Sequence, residues 1–154
     1  GLPIGLYVYS QAINVEEAIE EANRAIQIAN ANGGKSKITL PIVIDTEFTD
    51  LRIGRADPLT REQRTKVVKA FANRIKQHGY TPMIYASRDF LYFNLNMSEL
   101  SEYDVWLAHY TSTNDTMNHQ SNYNGPYKIW QYTSTGTVSG IQGNVDKNIS
   151  YVKY

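Results

Sequence analysis

The nine residues Leu-Pro-Ile-Val-Ile-Asp-Thr-Glu-Phe at positions 40–48 constrain this chain more than any other stretch. An apolar run leads straight into two carboxylates, Asp45 and Glu47. In a strand, residues two apart share a face, so these acids project side by side with Cα atoms ~6.6 Å apart. The run before them lacks polar alternation, which predicts a strand buried on both faces, the habit of parallel sheets in α/β proteins. Acids at the C-terminal end of such a strand stand where α/β folds carry their chemistry.

Around this strand the chain alternates. Residues 4–10 read as a strand with Leu6, Val8 and Ser10 on one face and Tyr7 and Tyr9 on the other. Asn14, with Glu17 three residues on, marks a helix start of capping-box type. Apolar positions from Val15 to Ala29 then keep the helical period until Gly33-Gly34. Residues 50–58 form a loop, and Thr60 with Gln63 is a second capping box. It opens a helix with Val67, Val68, Phe71, Ala72 and Ile75 on one face, ending at His78-Gly79. Strands are predicted at 81–86, 105–110 and 129–132, with a short helical piece at 87–94 and a polar loop up to Gly125. A Gly/Ser/Thr-rich loop at 133–143 precedes a last strand, 144–148, carrying Asp146.

This order predicts an α/β fold of about six strands and three helices, parallel at first and poor in helix towards the C-terminus. A complete (β/α)8 barrel usually takes ~250 residues, and 154 fall short of that. By length the chain is a single domain over residues 1–154.

Composition removes several classes of function. Fifteen basic residues balance fifteen acidic ones, so no long-range field favours nucleic acid or an anionic membrane. The apolar stretches are too short to span a bilayer. With no cysteine, disulfides and thiolate metal sites are excluded, and three scattered histidines argue against zinc. The start, Gly-Leu-Pro, lies directly in strand-like sequence, as expected of a mature product, an excised domain or a fragment. Twelve tyrosines are the outlier; amphipathic rings with a polar tip suit sugar-binding grooves as well as half-buried strands.

The ordered motifs carry a resemblance. They are Gly-Leu-Pro-Ile-Gly-Leu-Tyr-Val-Tyr-Ser at the start, Asp45-Thr-Glu47, Ile84-Tyr85, Trp106-Leu-Ala-His-Tyr110, Ile129-Trp-Gln-Tyr132, Gly136, Gly140-Ile141 and Asn144-Val-Asp146. As an ordered set across nearly the whole chain, they resemble the glycoside hydrolase family 25 lysozymes, which are N-acetylmuramidases. The resemblance implies an irregular β/α barrel of the (β/α)5(β)3 type. It also implies hydrolysis of the β-1,4 bond from N-acetylmuramic acid to N-acetylglucosamine in peptidoglycan, without a cofactor, outside the cytoplasm at the cell wall. Glu47 matches the family's general acid, Asp45 its acidic neighbour and Asp146 the late acid. Family members open with a Gly-Ile-Asp-Val-Ser strand whose aspartate lines the same cleft. This chain enters at what matches their third strand, so the barrel is expected to lack two strands. The unpaired edge of the 4–10 strand is then expected to exchange strands or dimerise.

For such chemistry, neighbouring carboxylates cannot both ionise easily, and Glu47 is expected to hold the proton while Asp45 stays ionised. The i, i+2 spacing permits both retaining and inverting geometry, and a 2-acetamido group on the substrate opens a substrate-assisted route in which Asp45 or Asp146 orients it. Tyr7, Tyr9, Tyr85, Trp106, Tyr110 and Gln131 are the expected substrate-binding side chains; Trp130 and His109 are expected to pack, and His119 to be a solvated loop residue. Other readings of the acids stand beside this one: helix capping, ion pairs with Arg52 or Arg55, or a hard-cation site with Asp146. So does a catalytically impaired peptidoglycan-binding module. A chitinase-like enzyme is disfavoured, because Ile42-Val-Ile44 stands where its further acids would be.

Overall fold

A computed structural model describes residues 2–111 and 120–154. Six strands form one sheet in chain order: β1 (Ile4–Tyr9), β2 (Ile38–Asp45), β3 (Pro82–Ser87), β4 (Asp104–Ala108), β5 (Ile129–Gly136) and β6 (Val145–Ser150). Every neighbouring pair from β1 to β5 is parallel, and β6 returns antiparallel to β5. The helices α1 (Val15–Ala31), α2 (Arg61–Gln77) and α3 (Arg88–Phe93) are the crossovers between the first four strands. This is a mixed α/β half barrel with its concave face turned away from the helices.

Local chemistry explains the helix limits. Asn14 Oδ1 accepts from the Glu17 N–H at 2.8 Å, but the Glu17 carboxylate takes the Ile13 N–H rather than that of Asn14, so the expected capping box is only half made. The box at Thr60 and Gln63 is complete. Small residues, Ala18, Ala22, Ala25 and Ala29, form the buried face of α1 and let it lie close to α2, where Arg74 Nε donates to Asn23 Oδ1 at 2.6 Å. Gly79, at φ 75°, reverses the chain after α2, a left-handed conformation that favours glycine.

The core lies between helices and sheet. Ile42, Ile44, Ile84 and Leu107 face α1 and α2 and are fully buried. Trp130 joins them as expected, at 2% exposure, its indole N–H donating to the His109 carbonyl at 2.9 Å. On the other face Pro41, Val43, Met83 and Ile129 line a concavity of about 250 Å³, and Pro41 and Val43 are buried there, so β2 is apolar and buried on both sides from Pro41 to Asp45, as predicted.

The predicted strands all form, with limits shifted by a residue or more, and two of the shifts bear on the site. β2 stops at Asp45, leaving Glu47 beyond the ladder. β5 runs to Gly136 through residues expected to be loop, because antiparallel pairing of Thr133 with Lys147 and Gly136 with Val145 carries the ladder past the serine and glycine that read as loop. Most of the expected polar loop before Gly125, and His119 with it, lies outside the described residues.

Candidate active site

Strand register assembles the site from all six strands. Tyr9, Asp45, Tyr85 and Trp106 are successive lateral partners near the C-terminal strand ends. The next row holds Ser87, Ala108, Gln131 and Asn148. These rows flank a cavity of about 350 Å³ into which Asp45, Glu47 and Asp146 all open. Tyr7, Tyr85, Trp106, Tyr110 and Gln131 complete its lining. Tyr9 is the one expected site residue outside that lining. Burial and the neighbouring Glu47 and Asp45 raise its phenol pKa, which puts it beside the acids.

The two acids differ in surroundings. Asp45 is 9% exposed, and its Oδ1 is buried without a hydrogen-bond partner. Burial, with Glu47 as second cause, raises its pKa to about 7. Glu47 is also raised, by burial and by Asp50, and is the less enclosed of the two. The pair therefore holds a proton up to about neutrality. Its placement differs from the expectation that Asp45 stays ionised: the deeper acid is the one raised to about 7, because desolvation outweighs the reach of the longer side chain.

A hydrogen-bonded triangle fixes the opposite wall. The phenols of Tyr85 and Tyr110 both donate to Gln131 Oε1, at 2.7 and 2.8 Å. Tyr85 meets Trp106 edge to face at 5.1 Å, and the Trp106 indole donates to Asn148 Oδ1 at 2.8 Å. Rigid rings with anchored hydroxyls offer both a stacking face and polar tips to a sugar.

Behind the acids stands a residue the motifs did not reveal. Arg64, 2% exposed, donates to the Ala56 carbonyl and to Thr46 Oγ1, the residue between the two acids. Its guanidinium lies 4.9 Å from the Phe90 ring centre and 5.5 Å from that of Phe48. The loop after β2 is further clasped by Asp57, which accepts from Thr49 Oγ1 at 2.5 Å and from the Gly54 N–H at 2.8 Å. A signal for Arg64 was present: it stands four residues before Val68 and seven before Phe71, on the apolar stripe of α2.

Neither arginine considered as an ion-pair partner reaches the acids. Arg55 pairs with Glu17 at 2.9 Å, and Arg52 stacks on Phe48 at 4.1 Å. Among the described residues, no group of three or more His, Asp or Glu side chains is gathered closely enough to hold a metal ion, so the hard-cation reading finds no support. His109 departs from the packing role expected of it. β4 ends at Ala108, and the imidazole lines a second cavity beside Glu47.

Acids ringed by aromatic side chains at the C-terminal ends of parallel strands are the equipment of a glycoside hydrolase. The profile of the glycosyl hydrolases family 25 matches residues 1–141, and this chain belongs to that family. An uncharacterized protein, YegX of Escherichia coli K12, is 31% identical over 112 residues, covering 71% of this chain and 36% of that protein. An autolytic lysozyme of Clostridium acetobutylicum is 27% identical over 146 residues, 95% of this chain and 39% of its own length. The modular autolysin LytC of Streptococcus pneumoniae, solved with a synthetic peptidoglycan ligand, matches with a TM-score of 0.78 at 28% identity, over 98% of this chain and 34% of that one. The spore cortex lytic enzyme SleM of Clostridium perfringens shares the fold, with a TM-score of 0.75 at 21% identity over 97% of this chain and 50% of its own. The chain thus spans half or less of these relatives' lengths.

Proposed function

We propose that this chain is catalytic machinery of an N-acetylmuramidase, cutting the β-1,4 bond between N-acetylmuramic acid and N-acetylglucosamine in peptidoglycan. The observation that carries the reading is the convergence of Asp45, Glu47 and Asp146 on one aromatic-walled cavity. As the substrate's developing positive charge draws Asp45 into its ionised form, the pair's proton rests on Glu47, the more open acid, which protonates the leaving oxygen. The 2-acetamido carbonyl attacks the anomeric carbon, while Asp45 or Asp146 orients that group and stabilises positive charge. Tyr7, Tyr85, Trp106, Tyr110 and Gln131 hold the sugar ring, with Tyr9 at the margin. The reaction takes no cofactor. The partner is a glycan strand of the wall, and the place of action is extracellular or within the wall, as the autolysin and lysozyme relatives support.

Within this reading the half barrel belongs to a (β/α)5(β)3 barrel. Among the described residues, β1 has no sheet partner on its outer edge. A further strand pairs there, by exchange with a second copy or from another segment. Light scattering of the chain in solution tests the exchange, and a strictly monomeric species would exclude it.

The function is tested by loss of turbidity of bacterial walls, with new reducing ends assigned to muramic acid or glucosamine. The chain is expected to release muramic-acid ends, and Glu47→Gln to lower the rate by roughly 10²–10⁴-fold. Wall binding without such ends would instead identify a catalytically impaired peptidoglycan-binding module.

A further inference from the structure

A second cavity, of about 340 Å³, shares Glu47, Tyr85 and Tyr110 with the first and is walled beyond them by Arg88, Asp89 and His109. Local structure puts these groups there. β3 ends at Ser87, whose hydroxyl accepts from the Phe90 N–H at 3.3 Å and turns the chain into α3. Arg88 and Asp89 thereby emerge at the same strand ends as the acids.

The Arg88 guanidinium is placed but under-used. Its carbon lies 5.6 Å from the Tyr92 ring centre, and Nη1 donates to Asp89 Oδ1 at 2.9 Å. Nε is buried without an acceptor. Asp89 is an adjacent, 70% exposed partner, and such pairs hold weakly. A guanidinium carries five N–H donors in a rigid fork matched to a carboxylate. His109 does not compete as a second cation. Burial, aided by Arg88, lowers its pKa, and its Nδ1 is 2.9 Å from Ser121 Oγ.

We propose that Arg88 reads a carboxylate borne by the sugar whose bond is cut. The inference rests on the muramidase reading. If cleavage follows muramic acid, that ring sits over Glu47, and its 3-O-lactyl group lies within reach of a cavity sharing Glu47. The carboxylate is either the lactyl one, where the peptide stem is missing, or one within the stem. The incoming anion takes Nη1 over from Asp89, on the accessible side of the guanidinium.

Calorimetry on the whole chain tests this with three probes. They are N-acetylglucosaminyl-N-acetylmuramic acid, its lactyl methyl ester, and the same disaccharide with an L-alanyl-D-glutamate stem. The ester is expected to bind about tenfold more weakly than at least one of the two acids, the size of a charge-assisted contact. Weakness relative to the free acid assigns the lactyl carboxylate; weakness relative to the stem form alone assigns the stem. Arg88→Ala should erase the difference, Arg88→Lys should recover only part of it, and Asp89→Asn should tighten binding of the acid. A difference that survives Arg88→Ala, or that is missing from the parent chain while walls are still cut at muramic acid, overturns the proposal alone. Failure to bind any probe or to cut walls overturns the muramidase reading and this inference with it.

Discussion

The indole N–H of Trp106 on β4 donates to Asn148 Oδ1 on β6 at 2.8 Å, over the top of β5. Strands two apart in a flat sheet lie roughly 9.5 Å apart, so this side-chain bridge records the inward curl of the sheet. It also secures β6 two residues from Asp146.

Asn148→Ala removes the acceptor and leaves the indole in place. The expected cost is about 1 kcal/mol, the worth of one exposed hydrogen bond. Amide exchange should quicken in β6 and stay unchanged in α1. Uniform quickening over both elements would contradict a local role for the bridge.

Burial of Asp45 makes the stability of the fold depend on pH. Its folded pKa of about 7 lies above the unfolded carboxylate value, so the native chain binds the extra proton between the two. Stability therefore falls as pH climbs from about 4 to 7 and stays lowered above. Asp45→Asn should raise stability at pH 8 by on the order of 2 kcal/mol and change little at pH 4. Thermal melts at the two pH values decide it, and an unstabilised variant at pH 8 would refute it.

Charge coupling between the acids is separable from burial. Glu47 is the second cause of the Asp45 shift, after desolvation. In Glu47→Gln the Asp45 midpoint should move down but remain above the ordinary range, followed by carbon NMR of its carboxyl. An unmoved midpoint would mean the two carboxylates do not sense each other.

Arg64 is the buried post behind the acid-bearing strand end. Arg64→Leu leaves the Ala56 carbonyl and Thr46 hydroxyl without this donor, and the expected loss is about 3 kcal/mol. Arg64→Lys should recover little, having no fork. Limited proteolysis should cut first within residues 46–60. A variant as stable as the parent would show that the loop stands without it.

Much of this architecture was legible because local signals agreed with tertiary ones. The apolar run into Asp45, the Thr60 capping box and the alternation of Tyr7 with Val8 each appear in the fold where the sequence puts them. The β5 extension was not legible, since Thr-Ser-Thr-Gly is strand only through its partner, β6. Proton placement was hidden as well: spacing reveals that two carboxylates meet, while burial of Asp45 depends on the whole sheet. Arg88 and His109 gave no signal, because the cavity they share exists only where β3 and β4 end together.

The Asp57 clasp has a consequence for the conditions the cleft tolerates. Its hydrogen bonds to Thr49 and Gly54 hold its pKa below the usual carboxylate range, led by the Thr49 hydroxyl. A depressed folded value stabilises above the unfolded pKa and is lost only as pH falls through the folded one. The loop beneath Glu47 thus stays shut in mildly acidic surroundings, where Asp45 keeps its proton. Two aspartates around one cleft are thus shifted in opposite senses: Asp57 keeps its charge, and with it the clasp, to lower pH than an ordinary carboxylate, while Asp45 gains its charge only as pH approaches about 7.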